Sequence, residues 1–228
     1  AKKIIFSIDE NSNDDSRWHT GHELQQENYS YLLQKVLDIP WLGVVFKPKV
    51  AYSIRQRLGP VADLLKKAEA TGRCYVYEKT TRLHNTAPPI LAGLSADVCI
   101  HGHLAGGTAA LECALEGKPT LMVDREGTPF SKLYDLPIGK VIFKDWESAI
   151  EAVMEHLNSK DGIPGFGDWS SIIDDLDPFR DGKAAFRIGS FMNSLVQGFD
   201  QGLDRDAIML SATEEYKKNW GDDKVICD

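Results

Sequence analysis

His101 and His103 flank a single glycine; Gly106, Gly107 and Thr108 follow closely, and Glu112 stands five positions beyond Gly107. Upstream, Lys47 and Lys49 bracket a proline, and Glu78 closes another short apolar run. Glycines at the start of a helix let an anion approach unpaired N–H groups that carry partial positive charge. Lysines on either side of a stiffening proline can neutralise a diphosphate. Two histidines one residue apart can face the same side of an extended segment, where either can donate to a phosphate or a sugar hydroxyl. A carboxylate in the second turn of a helix can accept from the diol of a ribose. Together these residue types describe a pocket for a phosphate-bearing, sugar-containing ligand.

Each of them also has a purely structural reading. The glycines fit an ordinary tight turn of an α/β protein, since neither G-x-G-x-x-G nor the lysine-containing P-loop is present. Lys47 and Lys49 fit a solvated sheet edge, and the histidines fit a packed loop. Glu112 fits compensation of a helix dipole, although a capping box would need the acid three residues after Thr108, where Leu111 stands. A zinc site would require a third ligand, and no nearby cysteine or carboxylate has suitable spacing, so no metal is expected.

The elements that must position these groups alternate along the chain. Apolar runs predict strands at 2–8, 41–46, 73–77, 98–101, 120–123 and 140–143. Helical patterns fill 23–37, 54–70 and 88–94, a run from about Gly107 closed by Gly117, and 146–157 behind a capping Asp145. Alternation of this kind predicts a doubly wound, mostly parallel Rossmann-like sheet with helices on both faces. Residues 1–157 form that domain, 158–176 read as a Gly- and Asp-rich linker carrying Trp169, and 177–228 form a helical extension. In the extension, one helix is entered through Asp177-Pro178 and another is capped by Asp204 and runs to Trp220. Ligands of such sheets bind outside the carboxyl ends of the strands. That edge collects Asp9 and Glu10, then Lys47 and Lys49, then Glu78, Lys79 and Arg82. It continues with the histidine pair and with Asp124, Arg125 and Glu126.

Composition narrows the partners. A net charge of −8 over 228 residues argues against a general nucleic-acid binder. No window approaches a membrane span, and Lys2 and Lys3 lead straight into a strand instead of a signal peptide. Cys74, Cys99, Cys113 and Cys227 are scattered without C-x-x-C spacing, as expected of buried free thiols in a reducing compartment. The chain does not begin with Met, which is expected of a piece excised from something longer.

Three stretches carry a family likeness: Ser95-Ala-Asp-Val-Cys-Ile-His101, Ala105-Gly-Gly-Thr-Ala-Ala-Leu-Glu112 and Gly117-Lys-Pro-Thr-Leu-Met-Val-Asp124. With them the chain resembles the C-terminal, donor-binding domain of GT-B glycosyltransferases, especially bacterial capsule and surface-polysaccharide enzymes. Val45-Phe-Lys-Pro-Lys49 is similar to the lysine-bearing strand end of polysaccharide-biosynthesis members, and Asp177-Pro-Phe-Arg-Asp-Gly182 with Arg187 to their closing helices.

The resemblance implies a metal-independent transferase without a cofactor, whose nucleotide-sugar is a substrate. Gly106, Gly107 and Thr108 would meet the donor diphosphate and Glu112 the ribose. His103 would stabilise the leaving group, with Lys47, Lys49, His101 and Glu78 also lining the donor site. It further implies a glycan acceptor and a cytoplasmic enzyme able to sit peripherally at the inner face of the membrane. Because GT-B enzymes have two Rossmann-like domains and only one fits here, an N-terminal domain is expected on the same or a partner chain. Two other readings stay open: a UDP-sugar 2-epimerase-like enzyme drawing on Glu78, His103, Asp124 and Glu126, and a noncatalytic nucleotide-sugar-binding or assembly module.

Overall fold

The computed structural model describes residues 1–14, 20–77, 88–104, 107–125, 127 and 131–224. The described strands are β1 (Lys3–Asp9), β2 (Leu42–Pro48), β3 (Cys74–Val76), β4 (Val98–His101), β5 (Thr120–Val123) and β6 (Ile142–Phe143). They form one six-stranded sheet in the order β3-β2-β1-β4-β5-β6. Every neighbouring pair is parallel. The doubly wound Rossmann-like α/β fold expected from the sequence is therefore the fold of the molecule, with the strand order 3-2-1-4-5-6 of the two-halved doubly wound sheet.

The described α-helices that begin before residue 170 are α1 (His22–Asp38), α2 (Ile54–Arg57), α3 (Val61–Ala70), α4 (Pro89–Gly93), α5 (Gly107–Leu115) and α6 (Trp146–Asn158). Alternation of side chains along each strand decides which helices each residue meets. One face carries Ile5, Val44, Phe46, Val98, Ile100, Leu121 and Val123 into a core with Tyr29, Leu32 and Leu33 of α1, Leu65 of α3 and Ile150 of α6. Tyr29 stacks on Phe46 at 4.3 Å between ring centres. On the other face, Phe6 and Cys99 lie under Gly93 of α4 and Cys113 of α5, so close that a side chain at Gly93 would strike Cys113 Sγ. Cys74, Cys99 and Cys113 are buried free thiols. Burial pushes the Cys74 thiol up to about 12.

The single helix expected over 54–70 is two, α2 and α3, interrupted at Gly59-Pro60 where Gly59 takes a φ of +49°. The helical spacing of Leu58 and Leu65 survives the interruption, so periodicity alone does not reveal it. Asp145 caps α6 as expected, accepting from the Ser148 N–H at 2.7 Å.

Residues 158–166, at the start of the stretch read as a linker, lead directly back onto the sheet. Phe166 joins the core, Gly167 accepts at its carbonyl from the Thr120 N–H, and the Trp169 indole donates to the Thr120 carbonyl at 2.9 Å. Helix α7 (Ser170–Leu176) follows. The chain divides into compact units at 172/173. In the second unit, residues 173–228, α8 (Ala184–Asp200) and α9 (Arg205–Trp220) pack together with Gly198 against Ile208 and Phe191 edge-on to Tyr216. Asp204 caps α9, again as read from the sequence, accepting from the Ala207 N–H at 2.9 Å. Arg187 forms a two-pronged pair with Asp181 and lies over the Phe179 ring.

A polar crevice between β1 and β4

The strand order turns around at β1 and β4, which are adjacent although far apart in sequence. After β1 the chain runs to α1 on one face, and after β4 it runs to α5 on the other, so the carboxyl ends of these two strands form the switch point outside which ligands of such sheets bind. Register sorts the polar groups there. Lys47, Ile8 and His101 share one row across β2, β1 and β4 and face the α4/α5 side. Asp9 lies one residue further on and faces the α1 side.

On the α1 side the polar groups form one connected network. Asp9 Oδ2 accepts from Gln25 Nε2 at 2.7 Å and from the Tyr29 hydroxyl at 3.1 Å. Gln25 Oε1 in turn accepts from Arg57 at 2.8 Å and from the Ser12 hydroxyl at 2.6 Å. Arg57 also donates to Ser12 Oγ, Ser53 Oγ and the Val50 carbonyl, and Ser12 Oγ lies 2.8 Å from His22 Nδ1. Asp9, Gln25 and Arg57 are all buried. Burial pushes the Asp9 carboxyl up to about 6, against the opposing pull of Gln25, His103, Arg57 and Tyr29. The Tyr29 hydroxyl is pushed well above its ordinary value by burial and by the Asp9 charge.

His103 is buried on this same side. Asn28 Oδ1 accepts from the Trp146 indole at 2.7 Å and from Arg125 at 3.3 Å, which fixes the amide so that its Nδ2 donates to His103 Nε2 at 3.1 Å. The neutral ring of His103 therefore carries its proton on Nδ1. His101 is the opposite case: its Nδ1 accepts from the His103 N–H at 3.1 Å, so its proton sits on Nε2.

On the α5 side, Lys47 is buried and its ammonium lies within electrostatic reach of Glu112. Burial holds the Lys47 amine below its ordinary value, with Glu112 pulling the other way. Glu112 Oε2 is buried with no hydrogen-bond partner among the described residues. Lys49 instead pairs with Glu10 at 2.5 Å. Burial pushes the Glu10 carboxyl up, but Lys49 and the Asn11 N–H outweigh it and hold the group below its ordinary range. At the opening of α5, the space that a Cβ on Gly107 would fill is taken by Leu133 Cδ1, so this glycine admits a leucine. Thr108 is exposed. Gly106 and Glu78, with Glu126, lie outside the described residues.

Asp124, at the end of β5, is fully engaged. One oxygen accepts from the Tyr134 hydroxyl and from Lys144, and the other from the Gly127 N–H.

Of the sequence-derived candidates, the register puts Lys47 and His101 on the α5 side, where Glu112 lies within electrostatic reach of Lys47, while His103 meets Asn28 on the α1 side and Lys49 pairs with Glu10, so the two histidines do not share the side expected of them. Asp9 was read only as one of the polar groups at the carboxyl edge, and Gln25, Arg57 and Asn28 were missed as site residues. A signal for them exists: Gln25 and Asn28 recur at helical spacing with Tyr29, Leu32, Leu33 and Val36, so two amides occupy the core-facing stripe of α1. Polar groups in such a stripe need buried partners. The chain matches no protein-family model, and no curated protein is similar enough to count as a relative.

Proposed function

We propose that this chain is the donor-binding part of a metal-independent GT-B-type glycosyltransferase, taking a nucleotide-activated sugar at the crevice between β1 and β4. The sugar would pass to a growing surface polysaccharide or other glycan in the cytoplasm, with the acceptor-binding Rossmann-like domain on the same chain or a partner. The observation that supports this best is Glu112. Its Oε2 is buried and unpaired among the described residues, within electrostatic reach of the buried Lys47 at the carboxyl edge where ligands of this fold bind. An unpaired buried acceptor costs about 1–3 kcal/mol, so a ligand that brings hydroxyls to it is favoured. A ribose diol has that chemistry, and the Lys47 ammonium suits the phosphate joined to the same ribose. Departure of the nucleotide would then be assisted by donors already in place, Lys47 and the histidine pair, with little reorganisation.

The test is binding of UDP, GDP, CMP and their sugar conjugates to the full chain by calorimetry. At least one nucleotide should bind more tightly than any free sugar. Glu112→Ala should weaken that nucleotide by roughly 10- to 100-fold, the range for hydrogen bonds to a charged group. Binding of none of the panel, or undiminished binding by the variant, overturns the proposal.

A further inference from the structure

Asp9 has a divided carboxylate. Oδ2 already accepts two hydrogen bonds, from Gln25 and Tyr29, whereas Oδ1 takes none from the described residues. A proton added to this group falls on Oδ1, since Oδ2 has its lone pairs committed to donors. The groups facing Asp9 come from every element around it: Tyr29 and Gln25 from α1, Arg57 from α2, and His103 after β4. Arg57 is held off by Gln25, so no cation touches the carboxylate among the described hydrogen bonds. Glu10, next along the chain, is committed to Lys49 on the opposite side.

We propose that Asp9 is a ligand-binding residue that works in its protonated form, donating from Oδ1 to a phosphate oxygen, so that binding of the ligand takes up one proton. This rests on the reading that a phosphate-bearing ligand occupies the crevice. An anion brought beside His103 also lies beside Asp9, and two negative charges at one buried point repel strongly. Protonation turns that repulsion into a hydrogen bond. Burial has already brought the carboxyl up to about 6, so the proton is gained at little cost near neutrality. A protonated buried acid serving as a donor is an established way of holding an oxyanion.

The experiment uses the full chain and diphosphate diesters, UDP-glucose and GDP-mannose, whose phosphates do not titrate near pH 6, unlike a terminal phosphate. Calorimetry at pH 7 in two buffers of different ionisation enthalpy should show uptake approaching one proton per ligand, fading by pH 5. Affinity should fall by about tenfold per pH unit above 6. Asp9→Asn keeps a donor at the same place without a charge. It should abolish the uptake and bind at least about tenfold more tightly than the unaltered protein at pH 8. Buffer-independent heats at pH 7, or uptake that persists in Asp9→Asn, overturn the proposal while leaving the donor-site reading intact. If neither conjugate binds at any pH, the proposal falls together with that reading. The buffer comparison on the unaltered protein decides the question even if the variant does not fold.

Discussion

Arg57 and Asp9 are buried in the same network yet do not touch: Gln25 stands between them, its Oε1 accepting from Arg57 at 2.8 Å and its Nε2 donating to Asp9 at 2.7 Å. The amide passes polarity from one charge to the other and keeps the guanidinium off the carboxylate. A direct pair would lock Asp9 ionised, whereas this arrangement leaves it able to take a proton.

Gln25 is accordingly the residue whose exchange reports the network. Gln25→Ala strips Arg57 of one acceptor and Asp9 of one donor, and should cost about 1.5–3 kcal/mol in urea unfolding, the range for hydrogen bonds to charged groups. Gln25→Glu should cost less, because the new carboxylate pairs directly with Arg57. It should also drive Asp9 further up, since two acids would then share the site. An NMR titration of the Asp9 carboxyl carbon measures that rise, and an unmoved or lowered midpoint counts against the bridging role.

Asp9 also makes stability depend on pH with a defined sign. Its carboxyl sits at about 6 in the folded chain against 3.8 ordinarily, so between these values the folded state binds the proton and the unfolded state does not. The stabilisation is complete below about 3.8 and is lost as pH rises through about 6. The full effect is on the order of 3 kcal/mol. Asp9→Asn removes it. Its stability should match the unaltered protein near pH 4 and exceed it by about 2–3 kcal/mol at pH 8, with the gap opening between these limits. Parallel urea curves across that range check this, and a constant gap would contradict it.

Much of the frame was legible because local chemistry decides it. The run Thr120–Val123 is a strand with the bounds its apolar pattern gives, and Asp145 and Asp204 cap the helices they precede. The order of the strands is not local. It depends on which faces of α1, α3 and α6 must be covered, and only that order sets β1 beside β4 and gathers Lys47, His101 and Asp9 at one edge. Asp9 alone, in the run Ile8-Asp9-Glu10-Asn11, looks like any polar strand end. Its burial comes from Gln25 and Tyr29, sixteen and twenty residues away. Gly107 shows the reverse limit, since a glycine at a helix start looks the same whether it admits a phosphate or the side chain of Leu133.

The stretch after α6 provides a prediction for the same reason, because its glycines and aspartates look like a tether while its contacts belong to the fold. A Cβ on Gly167 would lie 2.5 Å from the Thr120 backbone nitrogen, at a φ of +64°. Neither backbone can yield cheaply, so Gly167→Ala should cost about 2 kcal/mol or more. Trp169→Phe keeps most of the packing and removes the indole bond to the Thr120 carbonyl, for about 1–2 kcal/mol. A true linker would tolerate both exchanges with no change in thermal midpoint.

The histidine pair yields a prediction that one spectrum can decide. Asn28 donates to His103 Nε2, and the His103 N–H donates to His101 Nδ1, so the two neutral rings must hold opposite tautomers, Nδ1–H in His103 and Nε2–H in His101. Long-range nitrogen–proton correlations above pH 8 distinguish the two patterns directly. Asn28→Leu removes the donor and should release His103 from its Nδ1–H form, leaving His101 as it was. It also leaves the Trp146 indole without its acceptor, at about 1–3 kcal/mol, which unfolding measurements register separately. If both rings share one tautomer in the unaltered protein, the amide of Asn28 is turned the other way, and His103 is not the oriented donor that a bound phosphate would need.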